Sequence, residues 1–311
     1  MLPEAPQRPV EPVPAPLPTS PRSEIRDRIR TLVELLEDES ASVLEVVKDE
    51  LLRQGRHARP ILKGALSSPN PKLRARSRTI LSELDRRESI RRLIRHSMRA
   101  QIDLERALFL LGGLETPGLD ARPYERALDA MGEEVSRRAQ RETDPLSRAM
   151  VLTQYLGGEL GFVGSEVDYA HRDNVHLHRA IERKRGMPLT LTALYMFVGR
   201  RAGIRSAAIP LPGHVLLRIR DGRRGLIVDP FHGGKVRTRE DCVRYLAEHS
   251  LVPRPEWFHD ATDRSLFQRH VLNLMNSCQM RGFSKQANDL HRIALVLGRT
   301  APSATPVGQS N

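Results

Sequence analysis

Cysteine is nearly absent from this chain. Its 311 residues hold two, Cys242 and Cys278, too few for a disulfide framework or a multi-thiolate metal site. Long apolar runs are also missing, because no stretch approaches the ~18 uninterrupted apolar residues of a membrane span. The N-terminus lacks the apolar segment of a secretory signal, which argues against export by that route. Together these absences lead to the expectation of a soluble, cytoplasmic protein in a reducing compartment, with no membrane partner. Lysine is scarce as well, at six of the 50 basic residues, the other 44 being arginine.

Apolar residues make up 39% of the chain, and the 21 glycines bring that figure near the globular norm. A sizeable core is therefore expected, in more than one average domain and fewer than three. The net charge of +12 and a pI near 10.4 invite a nucleic-acid reading, and the planar arginine fork suits phosphate. The arginines are nevertheless dispersed, apart from a run at Arg86, Arg87, Arg91, Arg92, Arg95 and Arg99. The spacing of that run predicts a solvated helix face, so nucleic acid is the weaker expectation and a protein or peptide partner the stronger.

Residues 1–22 carry eight prolines and almost no large apolar residues. Such a segment cannot repay its ordering entropy and reads as an extended, solvated tail rather than an SH3-type docking peptide. Residues 300–311 read as a second tail. From Ser23 to about Ala100 apolar residues recur at three- and four-residue steps, as in Ile25, Ile29, Leu32, Val33 and Leu36. The short helices joined by Ser68-Pro69-Asn70 resemble HEAT-type repeat pairs, whose apolar faces call for a neighbour to cover them. Residues 101–258 form the next predicted domain. A helical pair follows at 262–299, hinged at Gly282, with Ala287 and Ala294 at positions resembling the small residues of a tetratricopeptide repeat.

The middle of the chain carries the chemistry. Pro188 suits the first position of an apolar helix, Leu189 to Ala202, closed by Gly203. Two apolar runs then flank Asp221-Gly222, a strong hairpin signal. If those two residues form the turn, His214 faces Asp229 on one sheet face with Cβ atoms about 5 Å apart. A longer turn through Gly225 would set His214 opposite Phe231 instead. A carboxylate beside an imidazole orients it and raises its basicity, which serves general-base chemistry when a nucleophile is in reach. Taken alone, such a pair is more often an ordinary structural network.

Several motifs of this region resemble the transglutaminase-like core of the papain-type fold, and more closely its SirB-like branch. They are Gly161-Phe162-x-Gly164, Tyr169, Asp173-Asn174, Ile181 through Leu191, Leu211-Pro212-Gly213-His214, and Asp229-Pro230-Phe231-His232-Gly233-Gly234. The resemblance runs from about Asp103 to Gly234 and on into the C-terminal pair, and it leaves residues 1–100 uncovered. It implies an α+β fold in which a helix packs on an antiparallel sheet, here with a helical repeat-like segment before it and a helical pair after it. In active members a cysteine at the helix start is the nucleophile, and a strand histidine and aspartate complete the triad. Counting back fifteen residues from Gly203, the family's interval, lands on Pro188. The thiol is absent, while His214 and Asp229 match the other two positions.

Substitutes for the thiol are poor. Thr190 lies about 200° around the helix from Pro188; Thr192 is only about 40° off, but roughly 6 Å deeper. That makes Thr192 a weak nucleophile candidate. Cys242 and Cys278 read as small buried hydrophobes. His171, His176 and His178 lie near Asp168 and Asp173, with His214 and His232 further along, but in no metal-binding pattern, and His176-x-His178 reads as surface. Neither a metal nor a cofactor is expected. The leading expectation is therefore a non-catalytic interaction module with a cleft lined by His214, Asp229, Pro188, Thr190 and Gly186. By the resemblance, Lys184, Arg185 and Glu182 border that cleft, and Asn174 and Tyr169 brace the segment leading into it. The alternative is a hydrolase or acyl-transferase that uses His214 and Asp229 with an unrecognised nucleophile.

Overall fold

A computed structural model describes residues 21–299, apart from Asp168, Ala170, Gly222 and Arg223. The predicted tails, up to Ser20 and from Thr300 onward, lie outside the described residues. The chain divides into two compact units, the first ending at Asp85 and the second starting at Arg86.

The first unit is helical. It comprises α1 (Pro21–Glu34), α2 (Ala41–Gln54), α3 (Ala58–Ala65) and the start of α4 (Pro71–Ser97). Gly55 ends α2 at φ 51°, a conformation that glycine reaches without a Cβ penalty. Its N–H closes the last turn onto the Leu51 carbonyl. The next break is set by Asn70, whose side-chain oxygen accepts from the Lys72 N–H at 2.9 Å, with Pro71 opening α4. The three- and four-residue apolar rhythm becomes a core of its own, with Ile29, Val33, Leu36, Leu51, Leu62 and Ile80 buried together. In α4, Arg91, Arg92 and Arg95 are exposed, whereas Arg86 is partly buried and pairs with Asp289. The arginine face is thus solvated over only part of its length.

The second unit is α+β. Helices α5 (Leu104–Gly112), α6 (Arg122–Ala139) and α7 (Pro145–Thr153) come first, and α7 runs into a π-helical turn at Gln154–Glu159. Two short parallel strands, β1 (Val163–Gly164) and β2 (Arg185–Gly186), flank α8 (Leu177–Arg183) and lead into α9 (Pro188–Arg201). A four-stranded antiparallel sheet follows in the order β3 (Ser206–Ile209), β4 (Leu216–Asp221), β5 (Arg224–Asp229) and β6 (Lys235–Arg237). Helix α9 is buried from Pro188 through Gly199. It shares the main core with Leu217, Ile219 and Val228 of the sheet. The opposite sheet face, through Ile209 and Leu216, packs on Cys242 and Leu246 of α10 (Arg239–Glu248) and on Phe258. Side chains alternate between the two layers, as the period of a strand requires.

The hairpin takes the second of the two registers open in the sequence, the one that sets position 214 opposite Phe231, and not the one centred on Asp221-Gly222. Leu217 pairs with Val228, Ile219 with Leu226, and Asp221 with Arg224. Asp221 is therefore a strand residue, and Gly222 lies outside the described residues. The other register would set Ile219 against Arg224. The observed one gives Leu217 and Ile219, the β4 residues in the core shared with α9, apolar partners, which favours the slip. Continued to position 214, it opposes His214 to Phe231.

The C-terminal pair is α11 (Asp263–Met280) and α12 (Ser284–Arg299), joined through Gly282 at φ 76°. Thr262 caps α11 by accepting from the Ser265 N–H at 3.2 Å. Leu274, Cys278, Ala287, Leu290 and Ile293 all enter the main core.

Candidate functional site

The segment Leu211-Pro212-Gly213-His214 is a tight turn in which the His214 N–H donates to the Leu211 carbonyl at 3.2 Å. Proline at the second position and glycine at the third, φ 75°, are the residues a type II turn demands. A side chain at Gly213 would also strike the Tyr245 hydroxyl, 2.8 Å from its Cβ position. The turn sits just before β4 and holds the imidazole over the end of β5. There, Nε2 of His214 lies 3.0 Å from Oδ1 of Asp229.

Asp229 closes β5 and caps the short turn Pro230–His232. It is 2% exposed and accepts from three side chains. Besides His214, Nδ1 of His232 lies 2.7 Å from Oδ2, and Arg237 donates to the same oxygen from Nε at 3.2 Å and from a terminal nitrogen at 3.1 Å. Burial alone would raise the Asp229 pKa. Hydrogen bonds and charge from His214 and His232 overcome that and hold the carboxyl far below its ordinary range. Asp229 engages Nε2, so Nδ1 is the His214 nitrogen left for a group across the cleft. Phe231 stands edge-on to the His214 ring at 5.9 Å, and Tyr245 flanks it at 5.6 Å.

These groups line an open cleft of about 600 Å³. Of the residues expected to line a cleft, Pro188, Tyr169, His214 and Asp229 face this one. The other residues expected there do not line it. The Thr190 hydroxyl is fully buried and donates to the Val175 carbonyl, and Thr192 is equally buried and donates to the Val215 carbonyl at 3.2 Å. Helix α9 is a core helix, so both hydroxyls point into protein. Gly186 is buried in β2 beside Gly164. Arg185 reaches the Gly161 carbonyl, and Glu182 accepts from Tyr124 and Arg179 on the outer side of α8. Asn174 lies behind the cleft, where its amide donates to the Tyr169 carbonyl and its own backbone carbonyl accepts from the Met187 N–H. Asn174 thus ties Tyr169 to the start of α9.

Sequence reasoning set His232 aside for want of a metal-binding pattern, and it missed Arg237 and Tyr245. The signal for His232 was its place three residues after Asp229, one turn of the cap that Asp229 forms. Cys242 is 2% exposed, as expected of a small buried hydrophobe, yet it borders the cleft, and burial pushes its thiol pKa up. The pair read as surface is in fact internal. His176 and His178 are each 2% exposed, and Nε2 of His176 lies 3.0 Å from Glu115. Among the described residues, one group of three is arranged to hold a metal ion: His214, Asp229 and His232. Asp168, a sequence neighbour of the other histidines, lies outside the described residues.

Comparison with known proteins identifies the region that builds this cleft. Residues 122–272 match the family model described as the transglutaminase-like superfamily. A UPF0162 protein of Xylella fastidiosa is 31% identical over 160 residues, covering 51% of this chain and 54% of that one. A UPF0162 protein of Vibrio cholerae is 27% identical over 93 residues, 30% of this chain and 34% of the relative. F-box only protein 21 of Mus musculus is 26% identical over 135 residues, 41% of this chain and 21% of that protein. The match thus spans about half the length of the Xylella relative. No solved structure matches.

Proposed function

From a chain that carries a transglutaminase-like domain over residues 122–272, we propose that this domain is a non-catalytic cleft holding an extended segment of a partner protein. One observation carries the reading: where the resemblance calls for a nucleophile, the start of α9 presents Pro188 to the cleft shared with His214 and Asp229. The hydroxyls nearest in sequence, Thr190 and Thr192, are engaged elsewhere. What remains is an open trough in which the rings of Tyr169, Phe231 and Tyr245 stand among charged and histidine side chains, a lining suited to a segment with both apolar and polar groups. In this reading the domain runs over residues 101–258 and is of the SirB-like branch. The HEAT-like helices at 23–100 and the tetratricopeptide-like pair at 262–299 add partner surface, and the protein works in the cytoplasm.

The test pairs binding with turnover. Wild type and Tyr245→Ala are exposed to an immobilised peptide library, and both are assayed on chromogenic amides and esters. Peptide binding that weakens in Tyr245→Ala, with no turnover, supports the reading. Turnover that disappears in His214→Ala while the fold persists would overturn it.

A second reading, a hydrolase or acyl-transferase, is favoured by one feature: Cys242 borders the cleft that holds His214. Its test is alkylation by iodoacetamide read by mass spectrometry. A Cys242 that labels faster than free thiol, and slows in His214→Ala, would name the nucleophile. The raised pKa of the buried thiol leads us to expect slower labelling.

A further inference from the structure

We propose that His214, Asp229 and His232 form a binding site for a divalent transition-metal ion of the zinc class, open on one side to the cleft. Each of the three offers one ligand atom, and these atoms lie within 4.8 Å of one another. Zinc bonds to imidazole nitrogen and carboxylate oxygen run about 2.0–2.2 Å, which sets tetrahedral ligand atoms about 3.4 Å apart. His214 and His232 meet different oxygens of Asp229, at 3.0 Å and 2.7 Å, and the set of ligand atoms lies within 4.8 Å, so the side chains shift by roughly an ångström to share one ion. His232 has the freedom to do so, being 45% exposed on a short turn. Two imidazoles and one carboxylate suit zinc or its neighbours rather than magnesium or calcium, which prefer all-oxygen shells. Three protein ligands leave a fourth position, and it faces the cleft.

Electrostatics decides whether a dication is welcome. The chain as a whole carries +12, yet the cleft lining reverses that sign. Four carboxylates, on Glu166, Asp229, Asp241 and Glu248, face two guanidinium groups, on Arg237 and Arg244. Arg237 already donates to Asp229, and the same nitrogen lies 3.3 Å from Nδ1 of His232; it gives up that second contact when Nδ1 takes an ion and stays as the outer partner that orients the carboxylate. Binding uses a neutral His214, whose ring proton moves from Nε2 to Nδ1 as the lone pair turns to the metal. The site stands on these three side chains and does not depend on peptide occupying the trough.

The experiment titrates zinc chloride into the full chain, stripped beforehand with a chelator, against a chromophoric zinc indicator. Cobalt(II) absorption reports coordination geometry. One zinc per chain is expected, with a tetrahedral cobalt spectrum. Affinity should fall about 100-fold or more in His232→Ala, and also in His232→Gln, which keeps a polar side chain. His249→Ala, in the same cleft but outside the cluster, should bind within about twofold of wild type. Equal zinc affinity in wild type and both His232 variants would overturn the proposal. So would the absence of stoichiometric binding by a wild-type chain with native circular dichroism.

Discussion

His214 Nε2 lies 3.0 Å from Asp229 Oδ1, although the strand register places Phe231, not Asp229, opposite position 214. The contact is made from a turn rather than across a ladder. The Pro212-Gly213 turn lifts His214 out of β4, and the ring reaches the carboxylate that caps the end of β5. The candidate site therefore depends on two tight turns meeting.

The first prediction uses that geometry directly. Pro188→Cys places a thiol on the first turn of α9, in the cleft with His214. A helix N-terminus and a nearby imidazole both favour thiolate. The introduced thiol should label with iodoacetamide at neutral pH at least about tenfold faster than Cys242 or Cys278. Adding His214→Ala should remove most of that advantage. Mass spectrometry of the labelled peptides reads both outcomes, and equal rates at the three thiols would mean His214 does not face this position.

Asp229 and His232 should differ sharply in their effect on stability. Asp229→Ala removes the common acceptor of His214, His232 and Arg237 from a buried position. Breaking one side of such a network costs about 3–5 kcal/mol when fully buried, and somewhat less here because Arg237 is partly exposed. His232→Ala cuts one half-exposed bond and should cost under about 1 kcal/mol. Urea unfolding midpoints at constant slope test the contrast.

Acid should weaken the second unit through histidines outside the cleft. His178 and His270 are buried, and burial depresses each pKa to about 4. Among the described residues, Nδ1 of His178 and Nε2 of His270 have no hydrogen-bond partner. The unfolded chain binds these protons near pH 6.5 and the folded chain only near 4. Stability is therefore full above about pH 6.5 and falls as pH drops toward 4, by on the order of 3 kcal/mol per histidine. His270→Phe should flatten that slope in a denaturant–pH series. An unchanged slope would show that His270 titrates normally.

Gly157 holds the floor under the Asp229 turn. A Cβ there would overlap the Gly233 carbonyl oxygen and sit 2.9 Å from the Tyr195 hydroxyl. The first of these is backbone and cannot swing aside, so Gly157→Ala should cost about 3 kcal/mol or more. Gly158→Ala, next in sequence with open space around it, should fall within about 1 kcal/mol of wild type. Thermal unfolding of the pair separates a packing constraint from simple loss of glycine.

What the sequence determined by itself was local. Apolar periodicity located the helices, Pro188 marked the first position of α9, and Gly203 and Gly282 marked breaks, because each of these depends on neighbours a few residues away. The motifs also named His214 and Asp229 as partners, and the resemblance aligned Pro188 with the thiol position. Tertiary structure decided everything that depends on which face meets which. The apolar pairing of Ile219 with Leu226 overrode the Asp-Gly turn signal and moved the register by two residues. The complete burial of α9 turned Thr190 and Thr192 into the core, and the packing around Glu115 buried two histidines that read as surface. Arg237 and Tyr245 reach the site from an edge strand and a separate helix, and no local spacing can encode such convergence.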